Sequence, residues 1–259
     1  MNSKILVAEA EENNLGAKVL NERIQRWATC SLCEQQYHGV VRCALGWACW
    51  KTYLGRPEAD QVRRCAMTML GNGLSTAKHF EDALSVQEAE LSMERRLGAP
   101  EGSILITQSN LANTCEELGR PEESNRMLRD VYSGFLRLKG GESVQTLGAA
   151  LNYADSLSSL ERSEEAKTLL RKIMPVAPRV LGDCHELTLK MRWLYAKALY
   201  EDADVTLDDL REAMATLEDA GGTARRVLGG AHPTAVGIAA ALRITRAKLR
   251  TRDTPPSSA

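Results

Sequence analysis

Ala112, Ala154 and Ala196 stand 42 residues apart, and so do Gly98, Gly140 and Gly182. Around these markers longer strings align: Asn110-Leu111-Ala112 with Gly119-Arg120-Pro121-Glu122-Glu123, then Tyr153-Ala154 with Glu161-Arg162-Ser163-Glu164-Glu165, then Tyr195-Ala196. Two independent markers holding one period define a stacked array, in which no unit can bury its apolar face alone. A stack of like units offers a long surface but brings few catalytic groups together. The period therefore points to a binding protein.

Composition narrows the element type. Of the 259 residues 44% are hydrophobic, enough to fill a core, but only 5% are aromatic. Ala, Leu, Glu and Arg are plentiful, which favours helix over sheet and predicts an all-α chain. A formal net charge of −1 argues against a nucleic-acid footprint. Arg95-Arg96 and Arg225-Arg226 fall at predicted helix ends, where cations suit the dipole. No stretch approaches the roughly 18 apolar residues of a membrane span. The opening Lys4-Ile5-Leu6-Val7-Ala8-Glu9 soon turns acidic, unlike a secretory signal. Seven cysteines, five of them before residue 66, make a poor disulfide framework, so a reducing, cytoplasmic setting is expected. Phosphate-loop, dinucleotide, nucleophile-elbow and zincin motifs are absent from the chain, which reads as non-enzymatic.

Each repeat reads as two helices. Ile106 to Leu118 places Leu111, Cys115 and Leu118 on one face, and Gly119-Arg120-Pro121 then breaks the chain. The proline opens the next helix, Glu122 to Leu138, at no hydrogen-bond cost. That helix aligns Leu128, Val131 and Phe135, and Gly140-Gly141 stops it. The plan recurs as Leu147 to Leu160, then one helix from Glu164 to Leu181, then Gly182. Small residues mark the close approaches: Gly71, Ala112, Ala154 and Ala196 on the first helix of each unit, and Ala83, Ser124, Ala166 and Ala213 on the second. The interval between the two sets is 12 residues in three units and 17 in the last. The extra residues lie in Glu201-Asp202-Ala203-Asp204-Val205-Thr206, with Thr206 or Asp208 as the N-cap of the helix that follows. A helix from Ala235 to Arg250 caps the array, followed by a disordered tail at 251–259. Its outer face reads as polar enough for a monomer.

With Arg179-Val180-Leu181-Gly182-Asp183-Cys184-His185 and Arg226-Val227-Leu228-Gly229-Gly230-Ala231-His232-Pro233 closing two units, the sequence resembles the tetratricopeptide repeat (TPR) family. Its 42-residue form is similar to the repeats of kinesin light chains and to those of sets of predicted algal proteins. The resemblance covers about residues 67–250. It implies a right-handed α-solenoid of helix-turn-helix repeats, with the first helix of each unit lining a concave groove that takes protein or peptide. Ser143 and Glu101 stand where the histidines stand in other units, so His185 and His232 read as helix-start or packing residues.

Counting Ala112 as the eighth position of its repeat, the resemblance puts the second, fifth, sixth and ninth positions of each first helix in the groove. These hold Ser109, Asn110 and Asn113, then Leu151, Asn152 and Asp155, then Lys190, Trp193 and Lys197, with Asn72 at the ninth position of the earliest unit. A side-chain amide donates and accepts, so it can pair with an extended peptide backbone without reading its sequence. Lys190, Lys197 and Trp193 favour an acidic, aromatic-containing segment. Leu194 replaces the last basic residue of a carboxylate clamp, which argues for an internal segment over a C-terminus.

Residues 1–66 are less regular. Leu20, Ile24 and Trp27 form one apolar stripe, and Tyr53-Leu54-Gly55-Arg56-Pro57-Glu58-Ala59 matches the later turn as a decayed repeat. Trp47, Trp50 and Tyr53 read as core or groove wall. Cys30-x2-Cys33 resembles the first half of a MYND or RING finger. Cys43 and Cys49, however, lie six apart on what reads as a helix and diverge by about 120°. A zinc ion on Cys30, Cys33, His38 and Cys43 is therefore the alternative: a zinc-stabilised adaptor with the repeats as spacer. The reading preferred here has no cofactor.

Overall fold

A computed structural model describes residues 2–30 and 36–253. Among them every element is helical: α1 Asn2–Glu12, α2 Gly16–Gln25, α3 Gly39–Tyr53, α4 Gln61–Thr76, α5 Phe80–Arg96, α6 Glu101–Glu117, α7 Pro121–Lys139, α8 Val144–Ser159, α9 Ser163–Ile173, α10 Val176–Leu181, α11 Glu186–Tyr200, α12 Leu207–Leu228 and α13 Pro233–Asp253. The only sheet-like pairing among these residues is an isolated antiparallel bridge between Thr29 and Gln36. The chain forms two compact units, residues 1–120 and 121–259.

The small residues sit where the repeat places them. Ala83, Ala112, Ser124, Ala154, Ala166, Ala196 and Ala213 are all fully buried, and Gly71 is buried too. In three of the repeats the turn between the two helices has one geometry. Lys78, Gly119 and Glu161 take positive φ of 65°, 74° and 58°. The next residue's N–H then reaches back five positions, from His79 to Leu74 O, Arg120 to Cys115 O and Arg162 to Leu157 O, each at 2.9 Å. This is the Schellman stop, which satisfies carbonyls the helix end leaves open. Glycine adopts it freely, whereas Lys78 and Glu161 each cost about 1 kcal/mol.

Two repeats end on a second glycine geometry. Gly182 and Gly229 have φ/ψ of 92°/156° and 87°/152°, a region open essentially to glycine alone. Three residues on, the His185 Nδ1 accepts from Leu187 N–H at 3.1 Å and the His232 Nδ1 from Thr234 N–H at 3.3 Å. The Ser143 Oγ does the same for Thr146 N–H at 3.1 Å. The histidines are thus helix-start acceptors, interchangeable with serine.

In the second unit neighbouring helices pack on one another, and α11 lies against α8, α9, α12 and α13. Leu147, Leu170, Leu189, Met191, Leu199, Leu210, Leu217 and Ile238 fill this core with no more than traces of exposure. Burial of each such side chain contributes about 1.5–3 kcal/mol. The longer turn before α12 has a polar anchor. Asp202 takes the ammonium of Lys167 at 2.7 Å, and Glu164 pairs with it too. Thr206 and Asp209 form a capping box at the start of α12, as the sequence suggests for Thr206.

Several expectations are corrected. The helix read as continuous from Glu164 to Leu181 is two, because Pro175 has no N–H to bond back along α9. Gly55 does not take positive φ, and α4 starts at Gln61, capped by Asp60, which accepts from Arg63 N–H at 2.9 Å. The string Gly55-Arg56-Pro57 therefore does not build the turn that Gly119-Arg120-Pro121 builds. The boundary at 66/67 falls inside α4, and residues 251–253 belong to α13; 254–259 lie outside the described residues. Of the aromatics read as core or groove wall, Trp47 is exposed, while Tyr53 is buried and stacks on Trp27 with ring centroids 5.4 Å apart. On α13, Val236 and Ile244 are exposed, so its outer face is less polar than expected.

The tightest crossing in the first unit joins α3 to α4, a contact the repeat did not foretell. A Cβ on Gly46 would come 2.7 Å from Met69 O, and one on Gly73 would come 2.9 Å from Cys43 Cα. Gly71 is looser, since its Cβ would meet the Gln87 side chain at 3.1 Å.

Candidate functional site

In the second unit α8 and α11 present residues that the resemblance expects to face a groove to one cavity of about 370 Å³. It is lined by Leu151, Asn152 and Asp155 from α8 and Lys190, Trp193, Leu194 and Lys197 from α11. These seven are the fifth, sixth and ninth positions of one repeat and the second, fifth, sixth and ninth of the next. The backbone reason is helical spacing: residues three, four and seven apart share a face.

Charges in this cavity are partly balanced. Lys190 pairs with Glu186 at 2.8 Å, and Lys197 lies 3.9 Å from Asp155. Glu186 also accepts from Thr234 at 3.1 Å. Burial would raise its carboxyl, but Lys190 and Thr234 together hold it below the ordinary range. The lysines therefore supply less net positive charge than their sequence positions imply. Trp193 is seated against Gly237 of α13, a neighbour that spacing within the repeat cannot reveal.

Ser109, Asn110 and Asn113 lie on α6 of the first unit, Asn113 exposed and the other two half-buried. Asn72 belongs to a larger cavity of about 610 Å³ within that unit. Counted from Gly71 as the eighth position, Cys65, Thr68, Met69 and Asn72 are the second, fifth, sixth and ninth, and all four line it. Arg42 of α3, Arg64 of α4 and Glu94 of α5 line it as well, and nothing in the repeat pattern marks them.

Of the four residues proposed to hold zinc, Cys33 lies outside the described residues. His38 is exposed just before α3, and Cys43 is buried beside Leu70, Leu74 and Ala83. Cys30 is half-buried near the Thr29–Gln36 bridge. Burial pushes the Cys49 thiol up to about 11 and raises that of Cys65, so both are protonated at neutral pH. No group of three or more metal-ligating side chains comes together among the described residues.

No protein-family model matches the sequence, and no curated protein matches it. Solved structures do match its fold. The TPR-like repeats of a Podosopora anserina protein named for kinesin light chain superpose with a TM-score of 0.55 at 16% identity, covering 88% of this chain and 95% of that one. BtubC (BKLC) from P. vanneervenii gives 0.56 at 14%, covering 84% and 94%. A Rap protein complexed with Competence and Sporulation Factor gives 0.53 at 13%, covering 97% and 72%. The fold is that of the TPR-like helical repeat proteins. Among the described residues no helix is long and apolar enough to cross a membrane.

Proposed function

We propose that this chain is a non-catalytic protein-interaction scaffold that takes a short extended internal peptide segment in the cavity on α8 and α11. One observation carries the reading: seven side chains at recurring groove positions converge on one cavity. Asn152 serves the ligand backbone, and Trp193 with Leu151 and Leu194 gives apolar contact for an aromatic side chain. Because Glu186 and Asp155 already face the two lysines, the preference for acidic residues is mild. The complex of a fold neighbour with Competence and Sporulation Factor is in keeping with a TPR-like fold that takes a ligand.

The test is an array of extended peptides screened against the full chain, with hits measured by fluorescence anisotropy. Replacing Asn152 and Trp193 together by Ala is expected to weaken the best hit about tenfold or more, about 1.4 kcal/mol, while the melting temperature holds. Unchanged affinity in that variant rejects the site. No cofactor is proposed, because the Cys43 thiol is packed among aliphatic side chains. Stoichiometric zinc in the purified protein, with helicity lost in chelator, would favour the adaptor reading instead.

A further inference from the structure

The first unit holds charged groups that the described residues leave unanswered. In the 610 Å³ cavity, Arg42 Nε, Arg64 Nε and Glu94 Oε2 are buried and have no hydrogen-bond partner among the described residues. Glu94 is 6% exposed. Arg42 has one long contact, from Nη1 to Gln36 Oε1 at 3.4 Å. Neither arginine forms an ion pair with Glu94, although all three line the same space. Opposite charges held around one cavity without pairing carry a desolvation cost that a bridging ligand would offset.

We propose that this cavity binds a small zwitterion of the amino-acid type, a free α-amino acid or dipeptide with an apolar side chain. The guanidinium groups of Arg42 and Arg64 match a carboxylate, since planar N–H donors suit its two oxygens. Glu94 matches the ammonium group. A phosphate or other pure anion would satisfy the arginines but face the buried Glu94 carboxylate, so a ligand with both charges fits better. Ile24, Met69, Pro100 and Ile106 give the apolar wall for the side chain, and Asn72 and Ser103 offer further hydrogen bonds. The cavity is of ordinary size for small-molecule sites, which run about 300–1,000 Å³. This site is separate from the α8/α11 cavity and does not rest on the peptide reading.

The experiment is calorimetric titration of the full chain with the proteinogenic α-amino acids and a set of dipeptides. At least one apolar member is expected to bind, and its N-acetylated and its amidated forms are each expected to bind at least about tenfold more weakly. Arg64→Gln and Glu94→Gln should each weaken the uncapped ligand to a similar degree with the circular-dichroism spectrum unchanged, and Trp193→Ala should leave it alone. The inference is overturned if no member binds, if capped and uncapped forms bind alike, or if inorganic phosphate binds and the zwitterions do not. The capping comparison uses the unaltered protein, so it stands even if a substitution unfolds the first unit.

Discussion

Gly237 of α13 lies directly under the indole of Trp193 on α11: a Cβ there would come 2.5 Å from Cζ2 and 2.8 Å from Cζ3. The absence of one methyl group on α13 thus sets where a groove side chain of α11 can rest. Alanine at 237 would favour the helix itself by about 1 kcal/mol, so α13 should survive and the indole should move. Gly237→Ala is expected to shift the tryptophan emission maximum with little change in melting temperature. In a Trp193→Phe background the same substitution should leave emission unchanged. An unaltered spectrum in the parent background would mean that the indole is not held by Gly237.

The α3/α4 crossing makes a contrasting case, because there the obstructing atoms are backbone. Gly46→Ala or Gly73→Ala cannot be relieved by a side-chain rotation, so the two helices must separate. Overpacking of this kind costs about 1–3 kcal/mol. Each variant should lower the melting temperature of the first unit clearly, whereas Gly71→Ala, which meets only the Gln87 side chain, should change stability by less than about 1 kcal/mol. Equal effects at all three positions would refute the close crossing.

Glu90 is 2% exposed, and burial, the largest influence, pushes its carboxyl up to about 7, with the nearby Glu94 adding to the effect. The Thr68 hydroxyl donates to it and opposes the shift only in part. In the unfolded chain the proton leaves near 4.5, so between about 4.5 and 7 the folded state holds more protons and stability falls as pH rises. Glu90→Gln removes this loss. It should stabilise the protein by on the order of 2 kcal/mol at pH 8 and by little at pH 4.5, read from thermal melts across that range. A stabilisation independent of pH would rule out the titration as its source.

Lys167 and Asp202 give the opposite pH dependence. The hydrogen bond from Lys167, aided by Asp204 N–H, holds the Asp202 carboxyl below its usual 3.8, so the contribution to stability is present above that value and lost as pH falls below it. Asp202→Asn leaves the buried ammonium with Glu164 alone and should cost about 2 kcal/mol near neutrality. Lys167→Met combined with Asp202→Asn should recover most of that loss, because a matched apolar replacement strands no charge. Urea melts of the single and double variants decide it, and a double variant no better than the single one would show that the pair does not carry the effect.

Much of this chain was legible in one dimension because its determinants are local. Ala112, Ala154 and Ala196 mark buried positions since the same helix-turn-helix must approach itself at the same point in each unit. Gly119 announces its turn because few residues tolerate positive φ, yet Glu161 and Lys78 build the same turn unannounced. Asn152 and Asp155 on α8, and Lys190, Trp193 and Lys197 on α11, stand at positions that the resemblance to the repeat family implies, and α8 and α11 bring them to one cavity.

What spacing could not hold was every relationship between residues far apart in sequence with no repeat to link them. Gly46 packing on Met69, Gly237 beneath Trp193, Asp202 answering Lys167, and Arg42, Arg64 and Glu94 around one cavity are such cases. The Gly55-Arg56-Pro57 string fails for a related reason: its conformation is decided where Arg56 clasps Glu11 of α1 at 2.6 and 2.9 Å and lies over the Tyr53 ring, contacts its later counterpart does not have to make. Sequence determined most of the helices and their period, because these follow from backbone geometry repeated at 42 residues. Tertiary structure decided which charges are paired and which are left open, because pairing depends on distances between helices that the period does not encode.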